Sequence, residues 1–399
     1  TGLTYIFDEP STGMHPRDVG RMNRLLLQLR DKGNTVLVVE HDRDVISIAD
    51  HVIDVGPGAG RQGGEIVFAG SFQELLRADT LTGRAMRSSV PIKQAPRRAQ
   101  GSLPVRRACL HNLKHVDVDV PLGVMTVVTG VAGSGKSTLI SRVFARQYEQ
   151  DVVMIDQGPI TATNRSTPAS YLGFFDEIRA LLARASGQPE GLFSFNSAGA
   201  CPVCGGRGVL VTELAFMDPV VTECEACGGS RYSPQALACA YKGKNIVELL
   251  GLTAAQALEV FEGGKVQAPL KALAQVGLSY LTLGQPLSTL SGGERQRLKL
   301  AKHLKKKGRI VIMDEPTTGL HPSDIQNLLK LFDRIVARGN TLVVIEHNLD
   351  VIKQADWIID IGPDGGKNGG EVVFTGTPAE MARSANTLTA ASLRASCSP

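Results

Sequence analysis

The sequence predicts an α/β fold built from a duplicated module, and three observations carry that prediction. Residues 8–70 align without a gap with 314–376 at an offset of 306, with 31 identities in 63 positions. Each copy reads as an apolar strand, a helix and a second apolar strand: Thr4–Phe7 and Thr35–Val39 in the first, Ile310–Met313 and Thr341–Ile345 in the second. Unbroken Val/Ile runs alternating with helices predict a parallel sheet whose strands are buried on both faces, in both copies. Between the copies, a further apolar strand (Val124–Thr129) runs into a glycine-rich turn and then a helix from Thr138.

The chain of 399 residues has room for two or three domains. A hydrophobic content of 43% with 21% charged residues excludes a mostly disordered chain. No stretch approaches the roughly 18 apolar residues of a membrane span. The formal charge of +4 neither demands nor forbids a nucleic-acid partner. Four of the seven cysteines form two C-x-x-C pairs, which predicts a reducing cytoplasm and a metal site rather than a disulfide scaffold. The chain begins with Thr1, on what reads as a strand already under way, so it is expected to be a fragment lacking its true N-terminus.

In order, residues 1–83 form the C-terminal half of a first module. Residues 84–104 contain Pro91, Pro96 and Pro104 with Arg84, Arg87, Lys93, Arg97 and Arg98, which reads as an exposed, solvated linker. Residues 105–160 open the second module, and 161–289 are an insertion with a cysteine module near 201–232 and a helical stretch. Residues 290–385 complete the second module, followed by a tail, 386–399.

The chemistry sits in four motifs. Gly130-Val131-Ala132-Gly133-Ser134-Gly135-Lys136-Ser137-Thr138 has the strand–loop–helix context of a phosphate loop, in which backbone N–H groups cradle phosphate at a helix N-terminus. Lys136 would reach the β- and γ-phosphates of ATP and Ser137 would hold Mg²⁺. The strand at Ile310–Met313 ends in Asp314, suited to the Mg²⁺ shell, and Glu315, suited to be general base on an attacking water. Ser291-Gly292-Gly293-Glu294 opens a helix that can present N–H groups to a γ-phosphate. Cys201, Cys204, Cys224 and Cys227, with 19 residues between the pairs, have the spacing of a four-thiolate Zn²⁺ site, and the glycines after each pair allow N–H groups to face sulfur.

Together these motifs resemble the ATP-binding-cassette (ABC) family. The resemblance implies tandem ABC-ATPase modules of the P-loop NTPase fold, the first incomplete and the second carrying the zinc-binding and helical insertion. It makes Ser291–Glu294 the signature, His347 the switch histidine and Gln157 the Q-loop glutamine. Asp8, Glu9 and His41 would be the first module's acids and histidine. The insertion, with Asp-Glu-Pro-Thr-Thr-Gly-Leu-His at 314–321 and Asp-Trp-Ile-Ile-Asp-Ile-Gly-Pro at 356–363, looks like the UvrA family, the A subunit of the excinuclease ABC system. Phe193-Ser194-Phe195-Asn196 and Tyr241-Lys242-Gly243-Lys244 match that family's pattern too.

What this implies is an ATPase that recognises damaged or distorted double-stranded DNA in nucleotide excision repair and loads an excinuclease B-type partner. The stretch between Thr138 and Gln157 is shorter than in the repair proteins, and the cysteine module carries few positive charges. An alternative is therefore a shorter UvrA-like ATPase giving resistance to DNA-intercalating antibiotics. A membrane-transporter ATPase subunit is disfavoured, because such cassettes need no four-cysteine insertion. ABC sites are composite, and the first phosphate loop and signature would lie upstream of Thr1, so a dimer is expected. The basic run from Arg295 to Arg309 is a second candidate DNA contact.

Overall fold

Met125–Thr129 is apolar at every position except its two threonines, and it is buried throughout because it lies in the middle of a sheet. The computed structural model describes residues 2–57, 63–156, 158, 160, 166–214, 217–304 and 308–397. Two units emerge, one of residues 1–158 with 304–399, the other of residues 159–303.

In the first unit the strands are β1 (Thr4–Asp8), β2 (Thr35–Val39), β3 (Val52–Gly56), β4 (Glu65–Gly70), β5 (Ser102–Ala108), β6 (Val116–Pro121), β7 (Met125–Thr129) and β8 (Val152–Ile155). In the second unit are β9 (Val209–Leu214) and β10 (Met217–Glu223), and the first unit resumes with β11 (Ile310–Asp314), β12 (Thr341–Ile345), β13 (Trp357–Gly362) and β14 (Glu371–Gly376). The second copy forms a six-stranded sheet in the order β14-β13-β7-β12-β11-β8, parallel except for the edge strand β14. Ile312, Val343, Ile345, Ile359 and Ile361 are covered by the β5–β6 hairpin and by the helix Thr138–Phe144.

The first copy repeats the pairing but not the burial. β1 pairs with β2 in the register of β11 with β12, and both the β3–β4 and β13–β14 pairs carry an irregularity after the Asp, at Asp54/Val55 and Asp360/Ile361. Yet Ile6 is 73% exposed where Ile312 is fully buried, and Leu37, Val39, Ile53 and Val55 are likewise exposed. The expectation of buried strands in both copies therefore holds for one. The physical reason is a missing neighbour: β7 separates β12 from β13, whereas among the described residues nothing pairs with the free edges of β2 and β3.

The segment between the copies is not a free linker. Lys93 Nζ lies 2.7 Å from Asp356 Oδ1, and the Arg97 N–H donates to the same oxygen at 2.9 Å. Lys93 N also donates to Lys353 O at 2.9 Å, and Ser102 already belongs to β5. Lys93 and Arg97 are engaged by Asp356, just before β13, and by Asp333 of the helix Pro322–Ala337 rather than left to solvent.

In the second unit, helices Phe175–Ser186, Gly264–Gln275 and Gly292–His303 pack together, and the cysteine module is closed at its base by an Ala200–Tyr232 bridge. The basic run is only partly internal, with Arg295, Lys299 and Arg309 half-buried and Lys302 exposed. Arg297 is buried and donates to Gly277 O at 3.4 Å, and Lys302 Nζ lies 4.6 Å from the centroid of the Tyr171 ring. Lys305, Lys306 and Lys307 lie outside the described residues.

Candidate functional site

β7 delivers the chain straight into Gly130, and the loop closes back so tightly that only glycine fits there. Gly130 has φ +130°, and a Cβ would sit 1.9 Å from Ile361 O. Asn112 braces the loop by donating to Gly133 O at 3.0 Å. Gly135 follows, and Ser137 stands immediately before the helix that starts at Thr138. Lys136 is buried and folds over the loop, donating to Gly130 O at 2.9 Å and Val131 O at 2.8 Å. Burial pulls its pKa down to about 8, against the opposing pull of Glu315 and Asp314. The Ser134 hydroxyl is buried with no hydrogen-bond partner among the described residues, the kind of polar atom a ligand oxygen satisfies.

β11 ends at Asp314, whose carboxyl is pushed up to about 6 by burial and by the adjacent Glu315. Glu315 has φ +46°, a left-handed conformation that side-chain-bearing residues rarely adopt and that clusters at functional positions. Its Oε1 lies 3.6 Å from His347 Nε2, and that contact, with Lys136, holds its carboxyl below the usual range despite burial. The first copy repeats the geometry without the loop: Asp8 ends β1, Glu9 has φ +43°, and its Oε1 is 3.5 Å from His41 Nε2.

Glu40 and Glu346, which precede the two histidines, carry no motif chemistry of their own in the sequence, yet each is a structural fastener. Glu346 is buried and accepts from the His347 N–H at 2.7 Å, the Asn348 N–H at 2.9 Å and the Thr317 N–H at 3.0 Å. Glu40 does the same for Ser11, His41 and Asp42 at 2.8, 2.8 and 3.1 Å. One carboxylate thus ties the histidine loop to the loop following the acidic pair. Gln157 lies outside the described residues.

The remaining predicted groups stand in the second unit. Ser291 caps the helix Gly292–His303: its Oγ accepts from Glu294 N at 3.2 Å, while Ser291 N donates to Glu294 Oε2 at 2.8 Å. Gly292 and Gly293 thereby sit in the first turn, with Glu294 held by the Tyr280 hydroxyl at 2.5 Å. The Sγ atoms of Cys201, Cys204, Cys224 and Cys227 lie within 4.8 Å of one another. Tetrahedral Zn²⁺ with bonds of about 2.3 Å needs sulfurs roughly 3.8 Å apart, and Cys204 and Cys227 stand at 3.8 Å. The N–H facing Cys204 comes from Gly208, at 3.3 Å, and the one facing Cys227 from Arg231, each four residues beyond its cysteine. The glycines directly after the pairs make the turns rather than the sulfur contacts.

Comparison with known proteins places this geometry. The family model described as "ABC transporter" matches residues 113–318. UvrABC system protein A of Aquifex aeolicus is 47% identical over 430 residues, covering 99% of this chain and 46% of that protein. Its namesake in Methanothermobacter thermautotrophicus is 48% identical, covering 96% of this chain and 44% of that protein. The crystal structure of UvrA2 from Deinococcus radiodurans superposes with a TM-score of 0.91 at 41% identity, over 98% of this chain and 52% of that one. The chain thus spans about half the length of the curated relatives it matches. Likeness that extends through both copies, the insertion and the cysteine module makes the chain a member of the ATP-binding-cassette family, in its UvrA branch.

Proposed function

We propose that this chain is the ATP-hydrolysing part of a cytoplasmic, DNA-damage-recognising subunit of nucleotide excision repair. The observation that carries the reading is the four-cysteine module set between phosphate loop and signature, in a chain nearly half identical to proteins named UvrABC system protein A. A bare nucleotide cassette has no use for such an insertion. Among the described residues no helix is long and apolar enough to cross a membrane.

The residues divide the work as follows. The loop Gly130–Thr138 and Lys136 bind the phosphates of ATP, with the Lys136 ammonium leaving its two carbonyls for the β- and γ-oxygens. Ser137 and Asp314 would hold Mg²⁺, which supplies charge neutralisation on the phosphates when bound. Glu315 takes a proton from the attacking water, and His347 keeps that carboxylate in place. Ser291, Gly292 and Gly293 offer N–H groups to the γ-phosphate of an opposing module, so a dimer forms the working site. The four thiolates would bind Zn²⁺, and the cysteine module and neighbouring basic groups meet the phosphates of distorted duplex DNA. An excinuclease B-type subunit is the partner loaded by the cycle.

ATP turnover by the intact protein, measured without DNA and with intact or adducted duplexes, tests the reading. Duplex DNA is expected to change the rate, and adducted duplex to change it more. A rate indifferent to DNA contradicts the repair assignment, and drug-loaded duplex acting where adducted duplex does not would favour the resistance reading.

A further inference from the structure

The helix that opens with the signature starts on two glycines, and glycine is a poor residue for holding a helical turn. Its first turn therefore depends on what fastens it. Ser291 and Glu294 supply a reciprocal cap, Ser291 Oγ accepting from Glu294 N at 3.2 Å while Ser291 N donates to Glu294 Oε2 at 2.8 Å. Ser291 is exposed and Glu294 half-buried, so this cap competes with water. The second carboxylate oxygen decides the competition. Glu294 Oε1 accepts from the Tyr280 hydroxyl at 2.5 Å, and donors on both oxygens leave the carboxylate one orientation.

Tyr280 stands on a support that holds it still. It lies in the loop that follows the helix Gly264–Gln275, and backbone hydrogen bonds fasten that loop on both sides of it. Ala255 N donates to Ser279 O at 2.9 Å and Ala254 N to Leu281 O at 2.9 Å. Leu283 N donates to Leu252 O at 3.0 Å and Gly284 N to Leu250 O at 2.8 Å. These partners belong to the helices Ile246–Gly251 and Ala254–Val260 and the turn between them. The loop also meets the signature helix a second time. Arg297, three residues after Glu294 and so on the same helix face, is buried and donates to Gly277 O at 3.4 Å. Gly277 has φ +74°, and a Cβ there would sit 3.3 Å from Arg297 Nη1. Burial and the Glu294 carboxylate hold the Tyr280 phenol above its usual pKa, so it keeps its proton and stays a donor.

We propose that Tyr280 is a positioning residue for ATP hydrolysis: through Glu294 it aims the donors of Ser291, Gly292 and Gly293, so that the insertion's helices set the signature. The cap uses the Ser291 oxygen as an acceptor and leaves its proton for a phosphate oxygen. The N–H groups of Gly292 and Gly293 lie in the first turn, where a helix offers them no internal partner. Their direction is the direction of the turn itself. Fixing the turn therefore aims the donors before ATP arrives, and no reorganisation is left for the moment of reaction. The inference rests on the reading of Ser291–Gly293 as γ-phosphate donors given above.

Tyr280→Phe removes one oxygen and keeps the ring. In the intact protein it should lower kcat for ATP about tenfold, while the Kd for ATP, set by the loop Gly130–Thr138, changes less than twofold. Glu294→Ala should lose at least as much. Tyr280→Phe should add nothing in that background, because the phenol acts only through this carboxylate. Losses that add, or a weakened Kd with kcat unchanged, would overturn the proposal.

Hydrogen exchange read by mass spectrometry decides independently of turnover. Tyr280→Phe should speed amide exchange at residues 291–294 at least about fivefold and leave the last turns of the same helix and β11 unchanged. Unaltered exchange would overturn the proposal, and so would faster exchange in a variant with wild-type kcat. Exchange that responds as expected, in a protein whose wild type turns over no ATP, would instead sink the ATPase reading on which the proposal rests.

Discussion

Lys136 keeps a buried ammonium on two backbone carbonyls, so its role in binding is separable from chemistry. Lys136→Ala should abolish ATP binding, while Glu315→Gln should bind ATP normally and lose at least about a hundredfold in kcat, as expected of a general base. Equilibrium binding and single-turnover hydrolysis check the pair, and a Glu315→Gln variant with wild-type turnover would remove the base assignment. His15 makes a second prediction, about pH. Burial, reinforced by His347, Lys136 and Arg17, lowers its pKa to about 3. Between pH 6.5 and 3 the unfolded chain then binds more protons at this position than the folded one, so the native state loses stability as pH falls. By pH 5 the loss is about 2 kcal/mol. Urea titrations should show the stability advantage of wild type over His15→Phe shrinking by about that amount from pH 7 to pH 5, and an unchanged advantage would mean the ring is not held neutral.

At the scale of elements, two small devices hold parts that have little core of their own. The segment between the copies is strapped down through Asp356, whose side chain is fully buried and also accepts from Met125 N at 2.9 Å. Burial opposes ionisation there, but the Arg97 N–H, the Lys93 ammonium and the Met125 N–H outweigh it and hold the carboxyl below its usual range. Its stabilisation is present above the ordinary carboxylate pKa and is lost as pH falls through the depressed value. Asp356→Ala leaves Lys93 only its 3.7 Å contact with Asp333 and should cost about 3 kcal/mol, measured by chemical denaturation. The cysteine module is the second device. Zinc chelation should raise amide exchange across residues 201–232 while leaving β7 and β11 protected, because thiolate–metal bonds replace a core. Uniform protection after complete metal removal would show that the module folds without the ion.

For the whole molecule, what could be read in the sequence depended on whether the information was local. Gly130–Thr138 and the cysteine pairs were legible because their chemistry lies within a few residues. The repeat was legible because Asp314-Glu315 and Glu346-His347 recur at a fixed offset. The exposure of Ile6, Leu37 and Ile53 was illegible, because an apolar strand reads the same whether or not a neighbour covers it. The direction of the basic run from Arg295 was not legible either, because charge density says nothing of it: Arg297 is buried whereas Lys302 is exposed.

One binding measurement tests the proposed recognition of distorted DNA by this ATPase most directly. Anisotropy titrations of the intact protein with adducted and intact duplexes, at two salt concentrations with ATP present, should show adducted duplex bound at least about tenfold more tightly. A lesion that already unstacks the helix lowers the energy needed to deform it. Affinity for both duplexes should fall with salt, as phosphate contacts release counterions. Lys136→Ala should erase the preference for the adduct while leaving the salt-dependent binding. Equal affinities for the two duplexes, or a preference untouched by Lys136→Ala, would contradict the account.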